Sequence, residues 1–307
     1  MNISAKEQAF LERNQLPTAY LDAAKQWFSP IVDSIVAEYN HNKTPRVIGI
    51  NGCQGSGKST LADYLCTAVS EQINLKTVAL SLDDFYLTQS ERNTLARQIH
   101  PLLATRGVPG THDVELAISC VKHLLAGEKA LITRFDKSND DRIPHDQLQS
   151  IEEPVGLIVL EGWCLGALPQ KPESLTNAIN ALENEEDADA VWRSYVNQAL
   201  INEYPDLFNL VDELIMLQAP SFDTVFNWRL EQEQKLVKRL AKQGLSTQSG
   251  IMNEQQIRRF ISYFERVTEN SLQEMPQRAD HLFTLGLSRD ITTYTKKLIK
   301  ATLQLPV

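Results

Sequence analysis

Gly52, Gly55, Gly57, Lys58, Ser59 and Thr60 share one short segment, Gly52-Cys53-Gln54-Gly55-Ser56-Gly57-Lys58-Ser59-Thr60, whose spacing suits holding a polyphosphate. The glycines let the backbone turn so that successive N–H groups line an anion nest, and the helix that follows aims its positive end at the same point. In this pattern Lys58 contacts the β- and γ-phosphates, the Ser59 hydroxyl ligates Mg²⁺ and Thr60 lies close to the phosphates. The nine residues Gly52 to Thr60 therefore form the expected nucleotide site, with ATP and Mg²⁺ as its ligands. Cys53 has two readings: a small filler of the loop, or a thiol whose pKa the nest lowers.

Further acids and bases fall where such a site needs them. Asp83 and Asp84 follow the apolar stretch Thr77–Ser81, and Glu161 closes the continuous run Gly156–Leu160. In parallel α/β sheets ligands bind beyond the carboxyl ends of the strands, so Asp83 and Asp84 should face the phosphates. An acid closing a buried strand beside the P-loop is placed to hold Mg²⁺, which makes Glu161 the second metal candidate after Ser59. Arg106 and His112, in the turn-rich loop Arg106–Asp113, are candidates for holding an anionic acceptor. The run Leu131–Lys137 is a short strand ending in alternating charge.

Positioning these groups takes strands over 46–50, 77–81, 156–160, 213–217 and 281–285, with helices between them. The first two strands begin about 30 residues apart, the length of a right-handed βαβ unit. The expected architecture is α/β: a P-loop NTPase fold of three layers, α/β/α, around a mainly parallel five-stranded sheet. Residues 1–307 read as one domain with a helical N-terminal extension over 1–42, a helical insertion over 168–209 and a lid region over 222–270. Apolar stripes around Pro17 make the extension either a collar on its own domain or an oligomerisation arm. Within the insertion, the acidic run Glu183 to Asp189 lacks the alternating ligands and turn glycine of a calcium loop, and reads as a solvated face. The lid would be a basic helix carrying Arg229, Lys235, Lys238 and Arg239, the loop Gly244–Gly250, and a second helix capped by Asn253.

Composition narrows the class. The 307 residues are 42% hydrophobic and 22% charged, with a net charge of −9. That balance supplies no basic field for nucleic acid or an anionic membrane. Four scattered cysteines without a C-x-x-C pair read as reduced thiols. The amino-terminal residues lack a signal-like apolar region and no run approaches a membrane span, so a cytoplasmic location is expected. The guanine-reading Asn-Lys-x-Asp fails at its acid in Asn42-Lys43-Thr44-Pro45, which removes support for a GTPase switch. A base-reading motif and an oligomeric state are not evident.

The P-loop together with Ser81–Thr88, Arg106–Asp113, Arg134-Phe135-Asp136-Lys137-Ser138 and Leu160-Glu161-Gly162-Trp163 resembles the D-glycerate 3-kinase family. That family stands among the P-loop kinases that include uridine kinase, phosphoribulokinase and pantothenate kinase. The likeness continues through Asn180–Glu183, Trp192-Arg193 and Asn227–Leu230. It implies an ATP- and Mg²⁺-dependent kinase with a small-molecule acceptor, D-glycerate foremost. It also implies Asp83 as general base, Asp84 and Tyr86 placing the acceptor, and Arg106, His112 and Asp113 around it. Arg134 and Asp136 join that set through their motif, Glu161 stands at Mg²⁺, and Arg229 with Lys58 attends the transferring phosphoryl group. Asn139–Pro144 departs from the glycine-containing loop more usual in relatives, which leaves pantothenate, a nucleoside or a sugar phosphate as alternative acceptors. A non-catalytic ATP-binding scaffold is the alternative outside enzymes.

Overall fold

Apolar runs bounded by turns become strands here, and stripes of 3.6-residue period become helices. The computed structural model describes residues 3–242 and 252–297. Its elements run α1 (Ala5–Asn14), α2 (Ala19–Asn42), β1 (Arg46–Gly52), α3 (Lys58–Ile73), β2 (Thr77–Ser81), α4 (Gln89–Gln98) and α5 (Val114–Leu125). Then follow the short strands β3 (Ala130–Ile132), β4 (Phe135–Asp136), β5 (Asp141–Arg142) and β6 (Gln149–Ile151), and the long β7 (Leu157–Gly162). The chain continues through α6 (Ala181–Glu186), α7 (Val191–Asn202), α8 (Pro205–Phe208), β8 (Glu213–Gln218), α9 (Phe222–Lys242), α10 (Glu254–Glu274), β9 (His281–Leu285) and β10 (Ile291–Lys296). The loop Gly244–Gly250 and the side chains of Lys235, Lys238 and Arg239 lie outside the described residues.

The central sheet has the order β10-β9-β8-β1-β7-β2. β9, β8, β1, β7 and β2 run parallel and are the five strands expected. β10 adds an antiparallel sixth strand at the edge. Its sequence, Ile-Thr-Thr-Tyr-Thr-Lys, buries too little to carry a strong apolar pattern. The run at 131–137 stays out of the sheet: β3 pairs with β6, and β4 with β5.

Alternation along β7 sorts the two cores. Ile158 and Leu160 join Val47, Leu80, Val121 and Phe264 on one face. Leu157 and Val159 join Ile48, Ile50, Leu61 and Phe28 on the other. Glu161 shares the parity of Leu157 and Val159, so its carboxylate emerges on the α3 face, beside the start of that helix. Phe10 of α1 and Leu21 and Ile31 of α2 fill the same core. Arg13 of α1 clamps Asp63 of α3 through two hydrogen bonds of 2.6 and 2.5 Å.

The acidic run corrects its sequence reading. Glu183 and Asp187, four residues apart, are buried, while Glu185 and Asp189 stay exposed. The Arg266 guanidinium of α10 donates to both Glu183 oxygens at 2.7 and 2.6 Å and to the Ser174 and Asn177 carbonyls at 2.8 Å each. Arg193 pairs with Asp187 at 2.9 Å. The insertion is thus riveted to α10 by desolvated charge. Removing one partner strands the other, at a cost of about 3–5 kcal/mol. Glu183→Ala should therefore lower unfolding free energy in urea by that amount, while Glu185→Ala should change it by less than about 0.5 kcal/mol. Equal, small effects would show that the rivet contributes nothing. No helix among the described residues is long and apolar enough to cross a membrane.

Candidate active site

The P-loop leaves β1 at Gly52 and enters α3 at Lys58. Gly55 and Gly57 adopt φ of 79° and 95°, the left-handed region that glycine enters without strain. Gly57 is the N-cap and offers no side chain, so the first N–H groups of α3 are not capped by one. The Lys58 ammonium lies back over the loop and donates to the Cys53 carbonyl at 3.2 Å. Burial pushes the Cys53 thiol up to about 12, and Lys58 and Arg289 draw it only partly back. The reactive-thiolate reading of Cys53 is thereby corrected: the residue is a buried filler.

Ser59 donates its hydroxyl hydrogen to Glu161 Oε1 at 2.7 Å. Glu161 is 7% exposed, and no basic side chain pairs with it among the described residues. A nearly buried, unpaired carboxylate beside a hydroxyl suits a hard divalent cation. No group of three or more His, Cys, Asp or Glu side chains gathers for a metal among the described residues. Mg²⁺ does not require one, since it commonly takes one or two protein oxygens with phosphate oxygens and water completing its shell.

Beyond β2 the chain makes one 3-10 turn, Leu82–Phe85, that buries Leu82 and Phe85 completely and turns Asp83 and Asp84 the other way. Asp83 accepts from the Tyr86 hydroxyl at 2.6 Å and from the Lys137 ammonium at 2.7 Å. Burial pushes its carboxyl up, but Lys137 and Tyr86 outweigh burial and hold it below the usual range. Asp84 accepts from Arg134 at 2.5 Å and from the Phe135 N–H at 3.3 Å, which pins the β4–β5 hairpin carrying Lys137. Arg106 pairs with Asp140 in the same hairpin and stacks over Phe135 at 5.4 Å. Asp83, Asp84, Tyr86, Arg106 and Arg134 thus gather around one hairpin.

Of the remaining candidates, His112, Asp113 and Asp136 border the same hairpin, and Arg229 lies on α9. The Leu87 N–H donates to the Thr111 carbonyl and the Asp113 N–H to the Phe85 carbonyl, setting His112 against Tyr86 with ring centroids 4.8 Å apart. His112 is buried, with Nδ1 2.6 Å from the Tyr204 hydroxyl. Burial lowers its pKa to about 4, so at neutral pH it brings no positive charge to an anion. Asp113 caps α5 at the Leu116 N–H and accepts from Arg142 at 3.0 Å. Asp136 closes a turn on Ser138 and Asn139. Arg229 pairs with Glu233 at 2.7 Å and stacks over Phe260 at 5.9 Å.

His112 has a consequence for stability. The unfolded chain protonates it near 6.5 and the folded chain only near 4, so between those values the unfolded state binds more protons and stability falls as pH drops. The loss amounts to about 3 kcal/mol by pH 4. Urea titrations across that window should show the slope in the wild type and its flattening in His112→Gln. Parallel slopes would mean that His112 titrates normally.

Four residues here escape sequence reasoning. Lys137 binds Asp83 across 54 positions, and Arg289 donates to the Gly55 carbonyl at 2.9 Å while lying over the Trp228 ring at 5.3 Å. Buried Arg92 ties the Leu87, Ala104 and Asp140 carbonyls together at 2.6–3.1 Å. Arg142 donates to the Tyr86 carbonyl at 2.8 Å. Arg289 alone had a readable signal, as a charge in the turn just past the carboxyl end of an apolar strand. Arg92 and Arg106 both hold Asp140, so the departing loop at 139–144 is anchored at the site's rim.

No family profile matches the sequence. Among curated proteins, an uncharacterized kinase of Schizosaccharomyces pombe, mug58, is 32% identical over 252 residues, 79% of this chain and 83% of that one. The chloroplastic D-glycerate 3-kinase of Arabidopsis thaliana is 31% identical over 208 residues, 62% of this chain and 41% of the plant protein. Among solved structures, D-glycerate 3-kinase from Cryptococcus neoformans superposes with a TM-score of 0.69, over 87% of this chain and 96% of that chain. At 24% identity that likeness is one of fold.

Proposed function

Because this chain belongs to the D-glycerate 3-kinase family of P-loop kinases, we propose that it transfers the γ-phosphoryl group of ATP, with Mg²⁺, to a hydroxyl of a small anionic metabolite, D-glycerate being the favoured acceptor. The observation that carries this reading is the Lys137–Asp83 ion pair at 2.7 Å, with Lys137 60% exposed. An acceptor bearing both a carboxylate and a hydroxyl matches both halves of that pair. Its carboxylate takes Lys137, and the freed Asp83 oxygen receives the hydroxyl proton.

Phosphoryl transfer asks a protein mainly for positioning and charge neutralisation. Gly52 to Thr60 would hold the triphosphate, and Ser59 and Glu161 would hold Mg²⁺, which would supply charge neutralisation there. Lys58 stabilises negative charge at the γ-phosphoryl group. Tyr86, kept protonated by burial, orients Asp83, and Asp84 orients the hairpin that presents Lys137 and Arg134. Residues 222–270 act as a lid that excludes water, and Arg229 exchanges Glu233 for phosphate as the lid closes.

Coupled ADP release with Mg-ATP against D-glycerate, L-glycerate, pantothenate, uridine and ribulose 5-phosphate tests the reading. Turnover with D-glycerate well above the others is expected. Turnover with uridine and none with glycerate would reassign the acceptor. ADP release that no acceptor stimulates, with ATP still bound, would favour the scaffold.

A further inference from the structure

The P-loop and Asp83 stand at the carboxyl ends of β1 and β2. A cavity of about 430 Å³ lies toward the other end of the sheet, beside Leu214 near the start of β8 and Asp280 just before β9. That volume is within the range of small-ligand sites. Its lining is mostly apolar: Leu165 follows β7, Leu200 comes from α7 and Phe208 from α8, and Leu168 and Ile201 border it while staying 40% and 46% exposed. One cation stands in this setting. Arg278 lines the cavity and donates from Nη2 to the Gly166 carbonyl at 2.8 Å, while its Nε is buried without a partner. No carboxylate forms an ion pair with Arg278 among the described residues. Burial lowers its pKa, and the charge of Glu274 offsets that only in part. Asp280, the one acid in the lining among the described residues, accepts from the Leu214 N–H at 2.8 Å. A guanidinium drawn from water without a counter-charge is costly, and a carboxylate is the anion that matches its fork.

We infer that this cavity is a binding site for a small monocarboxylate with an apolar body, its carboxylate on Arg278 and its body against the apolar lining. The site shares no residue with the nucleotide or acceptor set, and α7 and α8 of the insertion contribute to it. It stands or falls independently of the phosphoryl-transfer reading.

Calorimetric titration of the full chain with butyrate, hexanoate, octanoate and the uncharged octanol tests it. In the wild type affinity should rise about fourfold with each added methylene, and octanoate should bind at least about tenfold more tightly than octanol. Arg278→Gln should bring octanoate down to the level of octanol and leave octanol unchanged, which also reports an intact cavity. A second variant, Ile201→Glu, changes an exposed residue at the border and should weaken octanoate about tenfold without lowering the unfolding midpoint. Saturating Mg-ATP and D-glycerate should not displace octanoate. Displacement by either would put the carboxylate at the phosphate nest or at Lys137 and overturn the site. Equal wild-type affinities for octanoate and octanol, full octanoate binding in Arg278→Gln, or no binding of any of the four by the wild type would overturn it as well.

Discussion

Lys58→Ala is expected to lower kcat/KM by about a thousandfold, the scale seen when one preorganised charge-stabilising donor is removed from a site where negative charge develops. The fold should survive. Among the described residues Lys58 makes one hydrogen bond, to the Cys53 carbonyl at 3.2 Å, which is long for a charged donor and correspondingly weak. Helix α3 should also persist, because its hold on the sheet comes from Leu61, Leu65 and Val69, all essentially buried. A large kinetic loss with unchanged circular dichroism and unfolding midpoint separates a phosphate ligand from a structural lysine. Wild-type turnover in Lys58→Ala would refute the P-loop assignment.

Asp83→Asn should lower kcat by about 10²–10⁴-fold, the range for loss of a general base, with KM for ATP nearly unchanged. The amide keeps the shape and can still accept from the Tyr86 hydroxyl. It can neither take the acceptor proton nor balance the Lys137 charge. Freed of that ion pair, Lys137 should bind an acceptor carboxylate at least as well as before, so KM for an anionic acceptor should hold or fall. Steady-state kinetics with both substrates varied reads the three parameters at once. A rise in KM alone, with kcat preserved, would demote Asp83 from base to binding group.

How much of this was legible in the sequence depended on how local the cause was. The P-loop, the acids after β2 and the acid closing β7 could be found because strand, turn and charge are contiguous. Parity then carried Glu161 to the α3 face and to Ser59, 102 positions away. Groups whose state depends on distant partners could not be read. His112 looks like a loop cation, yet Tyr86 and Tyr204 enclose it and burial keeps it neutral. Glu183 and Asp187 look like surface acids, yet arginines at 266 and 193 draw them inside. Their spacing of four, next to buried Leu182, was the one hint of a shared inward face. Lys137 was within a motif, but nothing in the motif says that it meets Asp83. The apolar stripe of α2 was visible, but not that its Phe28 meets Phe283 of β9 edge to face, with ring centroids 5.0 Å apart.

In the proposed reaction the γ-phosphoryl group ends on a hydroxyl of a small anionic acceptor. Phosphorus NMR of wild-type protein with Mg-ATP and D-glycerate observes that bond directly. A new phosphomonoester resonance growing in step with ADP, absent without acceptor and absent in Asp83→Asn on the same timescale, is the predicted result. ADP appearing with inorganic phosphate alone, and no new ester, would contradict it.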